Sequence, residues 1–317
     1  MVEVKGIFSD ENIINPVITI GNFDGVHIGH QEVFNVLINK ANELHGTPTV
    51  MTFYPHPIKV LAPDKDIKMI TTLQDRITLF EKNGIKAVVV IEFDKPFASI
   101  PAEVFVRDIL VMRLGIKGIV VGNNYVFGKG KKGTTDLLRQ KGMEFGFDVD
   151  IVAFKMLGQT VASSSKIRQF ISRGKITEAN QMLGRAYHIN GVVIKGTGRG
   201  KEMLNIPTAN LATDNELIPS DGVYAVKVTV FDKHANTYDA VANIGNNPTF
   251  RNPQKSYEVH IFNLDEDLLG KAVRVHFIKR IRDEIIFGSV EALRGQILKD
   301  MDVAMKILAS YDTNLFI

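Results

Sequence analysis

An alternation in the first half of the chain does most to limit its fold. Short Val- and Ile-rich runs take turns with segments whose apolar residues recur at helical spacing. "PVITIGNF", "TPTVMTFY", "IKAVVVIEF" and "IKGIVVG" read as buried strands, with "FDVDIVAF" as a fifth. Between the first two, Val33, Val36, Leu37, Ala41 and Leu44 fall on one helical face, and the pattern stops before Gly46. "TTLQDRITLFEKNG" carries Leu73, Ile77 and Phe80 in the same way, and "IPAEVFVRDILVMRLG" repeats it. Strand and helix in alternation predict an α/β fold whose parallel sheet is covered by helices on both faces.

After about residue 184 the pattern changes. "YHINGVVIKG", "GVYAVKVTVF", "TYDAVANIG", "SYEVHIFNL" and "KAVRVHFIKRIR" are short strands separated by Gly, Asn and Asp, the spacing of an antiparallel barrel or sandwich. A helix closes the pattern, capped by Ser289, with Val290, Leu293, Ile297, Met301, Ala304 and Leu308 along one stripe. A length of 317 residues suits two domains, expected at 1–183 and 184–317.

Composition narrows the function. No apolar run reaches the ~18 residues of a membrane span, and the acidic, interrupted start "MVEVKGIFSDENIINP" is unlike a signal peptide. The cytoplasm is therefore the expected location, with no membrane partner. There is no cysteine, which excludes a disulfide, a thiolate nucleophile and a cysteine-ligated metal. The net charge of +3 is too small an excess to suggest nucleic acid. Cations do gather in two glycine-rich stretches, "GKGKKG" at 128–133 and "GTGRGK" at 196–201, which suit a small phosphate-bearing ligand.

Two stretches carry chemistry. "GNFDGVHIGH" at 21–30 follows the first strand and opens the first helix, where an open parallel sheet binds its ligands. Gly21, Gly25 and Gly29 let the backbone approach a ligand closely. His27 and His30 lie near a helix start, where N–H groups and the dipole favour an anion. An isolated HxxH pair would read equally as surface or half a metal site; strand, glycines and helix together favour phosphate. In the second half, "IPTANL" at 206–211 is the densest signal. Residues two apart on an extended segment share a side, so Thr208 and Asn210 present two hard oxygen donors together, suited to Mg²⁺.

HxGH after a first strand resembles the signature of the nucleotidyltransferase superfamily. "GNFDGVHIGHQ", with "TFYPHP" at 52–57, "GNNYVFG" at 122–128 and "SSSKIR" at 163–168, is similar to the FAD synthetase module of the bacterial bifunctional riboflavin kinase/FAD synthetase family. "PTAN", "GVYAVKV", "NIGNNPTF" and "SYEVHIFN" follow in the order of its riboflavin kinase module. The resemblance implies a Rossmann-like nucleotidyltransferase sheet followed by an antiparallel β-barrel ending in a helix. It implies two reactions with ATP and Mg²⁺: phosphorylation of riboflavin to FMN, and adenylylation of FMN to FAD with release of pyrophosphate.

The same resemblance assigns residues. His27 and His30 would act on the ATP phosphates, with Gly21, Asn22, Phe23, Asp24, Gly29, Ser163, Ser164 and Arg168 completing that site, and Asn124 near the flavin phosphate. In the kinase module Glu258 matches the catalytic base, Gly196 and Gly198 the glycine-rich approach, Thr208 and Asn210 the metal ligands, and Arg282 and Glu284 the flavin side. The chain departs from the family at "GKEMLNIPTAN", which is one residue longer and has Asn205 where glycine is expected. It also carries Leu269 where tyrosine is common and Ile286 where lysine is common. Three other readings are an FMN adenylyltransferase with a weak kinase module, a flavin-sensing regulatory protein, and a cytidylyltransferase, which would leave the PTAN region unexplained.

Overall fold

The computed structural model describes residues 1–5, 13–153, 156–157, 160–196, 206–232, 234–246 and 255–311. The chain divides into two compact units, Met1–Ser164 and Ser165–Ile317.

The first unit is a six-stranded sheet in the order β1-β4-β3-β2-β5-β6, parallel throughout. Its strands are β1 (Val2–Lys5), β2 (Pro16–Ile20), β3 (Thr47–Tyr54), β4 (Ala87–Glu92), β5 (Gly118–Gly122) and β6 (Asp148–Val152). The five expected strands are present. The sixth, β1, pairs with β4 from Val2↔Ala87 to Lys5↔Val90; four residues are too few to show a period in sequence.

Every residue of β2 is buried, because successive side chains enter different cores. Val17 joins Phe34, Leu37 and Phe80 on one face, where α1 (Ile28–Glu43) and α3 (Leu73–Lys82) pack. Ile18 joins Val106, Leu110 and Leu138 on the other. That face is covered by the segment Phe105–Arg113 and by α6 (Thr135–Phe145). The expected helix at 100–115 is thus found in altered form: α5 (Ala102–Val104) runs directly into a nine-residue π-helix, Phe105–Arg113. Short helices α2 (Pro57–Leu61) and α4 (Lys95–Ala98) lie in the connections. The chain builds outward from β2 to β3 and β4, then returns to the other side of β2 for β5. The order of strand addition therefore reverses between β2 and β5, the place where open sheets of this kind take ligands beyond the C-terminal strand ends.

A short ladder of β7 (Met156–Leu157) and β8 (Thr160–Val161) precedes α7 (Ser164–Ser172) and α8 (Ile176–Leu183). The second unit continues with β9 (Tyr187–Ile194), β10 (Ala209–Ala212), β11 (Gly222–Val230), β12 (Thr237–Asn246), β13 (Lys255–Ile261) and β14 (Ala272–Arg282). These close into a barrel in the order β10-β13-β12-β11-β14-β9, all antiparallel. Of the two architectures the strand spacing allowed, the barrel is the one formed, and closure leaves no strand edge unpaired.

The final helix, α9 (Val290–Ala309), begins as expected, with the Ser289 hydroxyl accepting from the Ala292 N–H at 3.1 Å. Ala304 and Leu308 pack on Val223, Ala225 and Ile278. The unit boundary falls two helices before the expected 183/184. Asn180 of α8 donates to the Phe277 carbonyl at 2.8 Å and accepts from the Tyr187 N–H at 2.7 Å, which ties α8 to the barrel.

Candidate active sites

The decapeptide runs from the C-terminal end of β2 into α1. Gly21 N–H still bonds the Met51 carbonyl at 3.1 Å, after which the chain turns sharply. Phe23 (φ 49°), Gly25 (φ 86°) and Val26 (φ 41°) all take positive φ, a conformation that disfavours side chains other than glycine. α1 then starts with His27 at its N-cap. The His27 and His30 rings stack with centroids 3.6 Å apart, and the Phe23 ring meets His30 edge-on at 5.1 Å. Phe23 is itself held between Phe34 and Phe80. A Cβ on Gly29 would stand 3.2 Å from His27 Nδ1, so this position needs glycine for the imidazole to lie against the helix start. The two imidazoles thus stand together at the start of α1, where the first N–H groups of a helix favour an anion.

The loop is tethered from behind. Asp24, 2% exposed, accepts hydrogen bonds from Ile70 N–H at 3.0 Å and from both the N–H and the hydroxyl of Thr71 at 3.1 Å. The Thr71 hydroxyl accepts in turn from Gly25 N–H. Arg76 donates from Nη1 to the Asn22 carbonyl at 2.5 Å. Burial lowers the Arg76 pKa, and Asp24 opposes that shift. The Asn22 side-chain oxygen is buried without a hydrogen-bond partner among the described residues. Ser164 donates to the Asp24 carbonyl at 2.8 Å. Ser163 immediately precedes α7, and Arg168 follows Ser164 by four residues on that helix, where the two share a face.

Thr71 and Arg76 were not singled out in the sequence. Arg76 does leave a trace there, as a cation inside the apolar stripe of Leu73, Ile77 and Phe80. Asn124 follows β5, the strand paired with β2, and is exposed. Beside it, Tyr125 stacks on Phe127 with centroids 5.5 Å apart, and burial raises the Tyr125 pKa. "GKGKKG" forms a 3₁₀ turn, Lys129–Lys131, whose lysines face solvent. His56 of "TFYPHP" caps α2, its Nδ1 accepting from Ile58 N–H at 3.2 Å.

In the barrel, strand register assembles the second set. Asn210 of β10 stands opposite Glu258 of β13, and Glu258 faces Asn243 of β12 on its other side. Ser256 donates to the Glu258 carboxylate at 3.1 Å. A Cβ on Gly196 would collide with the Asn210 amide, and one on Gly245 would collide with the Glu284 carboxylate. Both glycines therefore leave room for a motif side chain. Thr208 is exposed and lines a hollow of about 280 Å³ with Val193, Ile194, Val259, Ile261 and Leu269. The His260 ring donates from Nδ1 to the Pro207 carbonyl at 2.7 Å, fixing the approach to Thr208.

Arg282 points its guanidinium at Asp300 of α9, with contacts of 2.7 and 3.0 Å, and to the Asp283 carbonyl at 2.8 Å. Ile286 is 99% exposed. Gly198, Asn205, most of "GTGRGK" and the second half of "NIGNNPTF" lie outside the described residues. Among the described residues no three His, Cys, Asp or Glu side chains gather as a metal site. An ion at Thr208 and Asn210 would thus depend on substrate phosphates for further ligands, which is how Mg²⁺ commonly binds.

The comparisons with known proteins divide the chain the same way. A family model for FAD synthetase matches residues 9–166, and one for riboflavin kinase matches 183–308. Curated relatives named bifunctional riboflavin kinase/FMN adenylyltransferase include those of Buchnera aphidicola, at 34% identity over 96% of this chain and 97% of the relative. The Escherichia coli K12 relative is 34% identical over 90% of each chain, and that of Bacillus subtilis 36% over 93% of each. A Streptococcus pneumoniae crystal structure named a macrolide-efflux protein superposes with a TM-score of 0.88 at 31% identity, covering 98% of this chain and 100% of its own. Among the described residues no helix is long and apolar enough to cross a membrane.

Proposed function

We propose a division of labour for a chain that belongs to the bifunctional riboflavin kinase/FMN adenylyltransferase family: adenylyl transfer at the decapeptide and phosphoryl transfer at the barrel. The protein is an enzyme of flavin cofactor biosynthesis with a riboflavin kinase and an FAD synthetase region. In functional terms the first module runs over 1–183 and the second over 184–317.

At the first site an FMN phosphate oxygen attacks the α-phosphorus of ATP and pyrophosphate leaves. No protein nucleophile is needed, so the protein's part is positioning and charge stabilisation. His27 and His30 donate to the phosphate oxygens. Ser163, Ser164 and Arg168 hold the triphosphate, and Gly21 and Gly29 let it come close to the backbone. Asn22 and Phe23 shape the loop, and Asn124 contacts the flavin phosphate. Asp24 serves as a tether here, since its carboxylate already accepts from Ile70 and Thr71.

At the second site Glu258 takes the proton from the riboflavin 5′-hydroxyl as that oxygen attacks the γ-phosphorus of ATP, and ADP leaves. Thr208 and Asn210 would hold Mg²⁺, which when bound neutralises phosphate charge. Gly196 and Gly198 admit the phosphates, and Glu284 and Arg282 border the flavin. Activity in the cytoplasm on small molecules alone completes the reading.

One observation carries the proposal: the stacked His27–His30 pair at the start of α1, directly after β2, where the order of strand addition reverses. To test it, the protein is incubated with ATP, Mg²⁺ and either riboflavin or FMN, and the flavins are resolved by chromatography. Both products are expected. FAD from FMN without FMN from riboflavin would select the single-activity enzyme, and tight flavin binding without turnover the sensor.

A further inference from the structure

α3 carries a charge where its pattern calls for an apolar side chain. Arg76 lies on the buried face of the helix, three residues after Leu73 and four before Phe80. It is 2% exposed, and burying a guanidinium is costly unless its charge and its five donors are matched. The protein matches them in part. Nη1 donates to the Asn22 carbonyl at 2.5 Å, while Nε is buried without a hydrogen-bond partner. The carboxylate that attracts this guanidinium, Asp24, accepts from Ile70 N–H and from the N–H and hydroxyl of Thr71. If stability alone were served, an apolar residue of similar size would do as well or better.

The carbonyl that Arg76 holds belongs to the loop that carries His27 and His30. We infer that Arg76 is a positioning residue for adenylyl transfer: its buried positive charge, anchored on the Asn22 carbonyl, fixes the loop and offsets the charge of the incoming triphosphate. A buried charge is poorly screened by water and salt, so it acts on phosphates it does not touch. The inference rests on reading this loop as the ATP phosphate site.

The test uses the full chain with Arg76→Gln and Arg76→Lys. FAD formation from FMN gives kcat and the KM for ATP, inorganic pyrophosphate inhibition gives anion affinity, and FMN formation from riboflavin reports on folding. Arg76→Gln should lower kcat/KM for adenylyl transfer by about 10–100-fold, the scale of a misplaced reacting group, with a parallel loss of pyrophosphate affinity. Arg76→Lys should recover most of both, and kinase activity should be unchanged in each variant. Three results would overturn the inference: a fully active Arg76→Gln, a lysine variant as impaired as the glutamine one, or loss of both activities together, which would make Arg76 a folding residue. A wild-type protein that makes no FAD from FMN is a distinct result and would remove the reading of the loop itself.

Discussion

The loop after β2 and the PTAN segment are both short and polar, and we propose both for ATP, one at its phosphates and the other through Mg²⁺, yet they are held by different means. The loop has no ladder beyond Gly21 and passes through three positive-φ residues. Its shape is imposed from behind, by Asp24 on Ile70 and Thr71 and by Arg76 on Asn22. The PTAN segment runs into β10, and pairing with β13 is enough to set Asn210 against Glu258. An irregular backbone has to be tethered by side chains, and buried charged ones tether most strongly because each unmade hydrogen bond is costly. A strand is already fixed by its neighbours, so its functional side chains can stay half-exposed with few partners.

Substitutions can break or sharpen this contrast. The largest effect is expected at the barrel: Glu258→Ala should lower FMN formation by about 10²–10⁴-fold, the range for a lost general base, with FAD formation from FMN unchanged. His30→Ala should do the reverse, lowering FAD formation by roughly 10²–10³-fold if it acts as a lost oxyanion donor. Loss of both activities from either change, in a folded protein, would refute the two-site assignment. Asp24→Ala tests the tether. It should reduce adenylyl transfer by about 10–100-fold through loop misplacement and lower thermal stability by about 1–3 kcal/mol, since two buried N–H groups lose their acceptor. An unaltered rate would mean that the loop holds its shape without Asp24. The smallest effect is expected for Gly196→Ala, where the added methyl displaces the Asn210 amide. About a tenfold loss of kinase activity should follow, without loss of stability, because only side-chain placement is disturbed. Melting curves and separate assays of the two reactions distinguish these outcomes.

Much of this was legible in the sequence because the period of a buried pattern is a local property. Val17 and Ile18, adjacent and both apolar, already imply a strand buried on two faces, and the structure puts them in opposite cores. The glycines, the histidines, Thr208 and Asn210 were singled out by their spacing within one segment, and Glu258 by its match to the family motif. Strand β1 was missed because its place is set by pairing with β4, far away in sequence. The π-helical winding at Phe105–Arg113 was missed because its apolar pattern resembles that of an ordinary helix. Arg282 was expected on the flavin side, and its partner Asp300 lies on a helix 18 residues further on.

Taken alone, the sequence determined an α/β first half and a β-rich second half ending in a helix, since these follow from periodicity and turn spacing, while the candidate site residues came from local spacing and from the family motifs. Tertiary structure alone decided that the barrel closes, that Asn210 stands opposite Glu258, and that Thr71 and Arg76 hold the decapeptide through Asp24 and the Asn22 carbonyl, with chain separations of 47 and 54. The physical reason is that a hydrogen bond or register pair across such distances depends on where two backbones come to rest. That is fixed only when the whole core has packed.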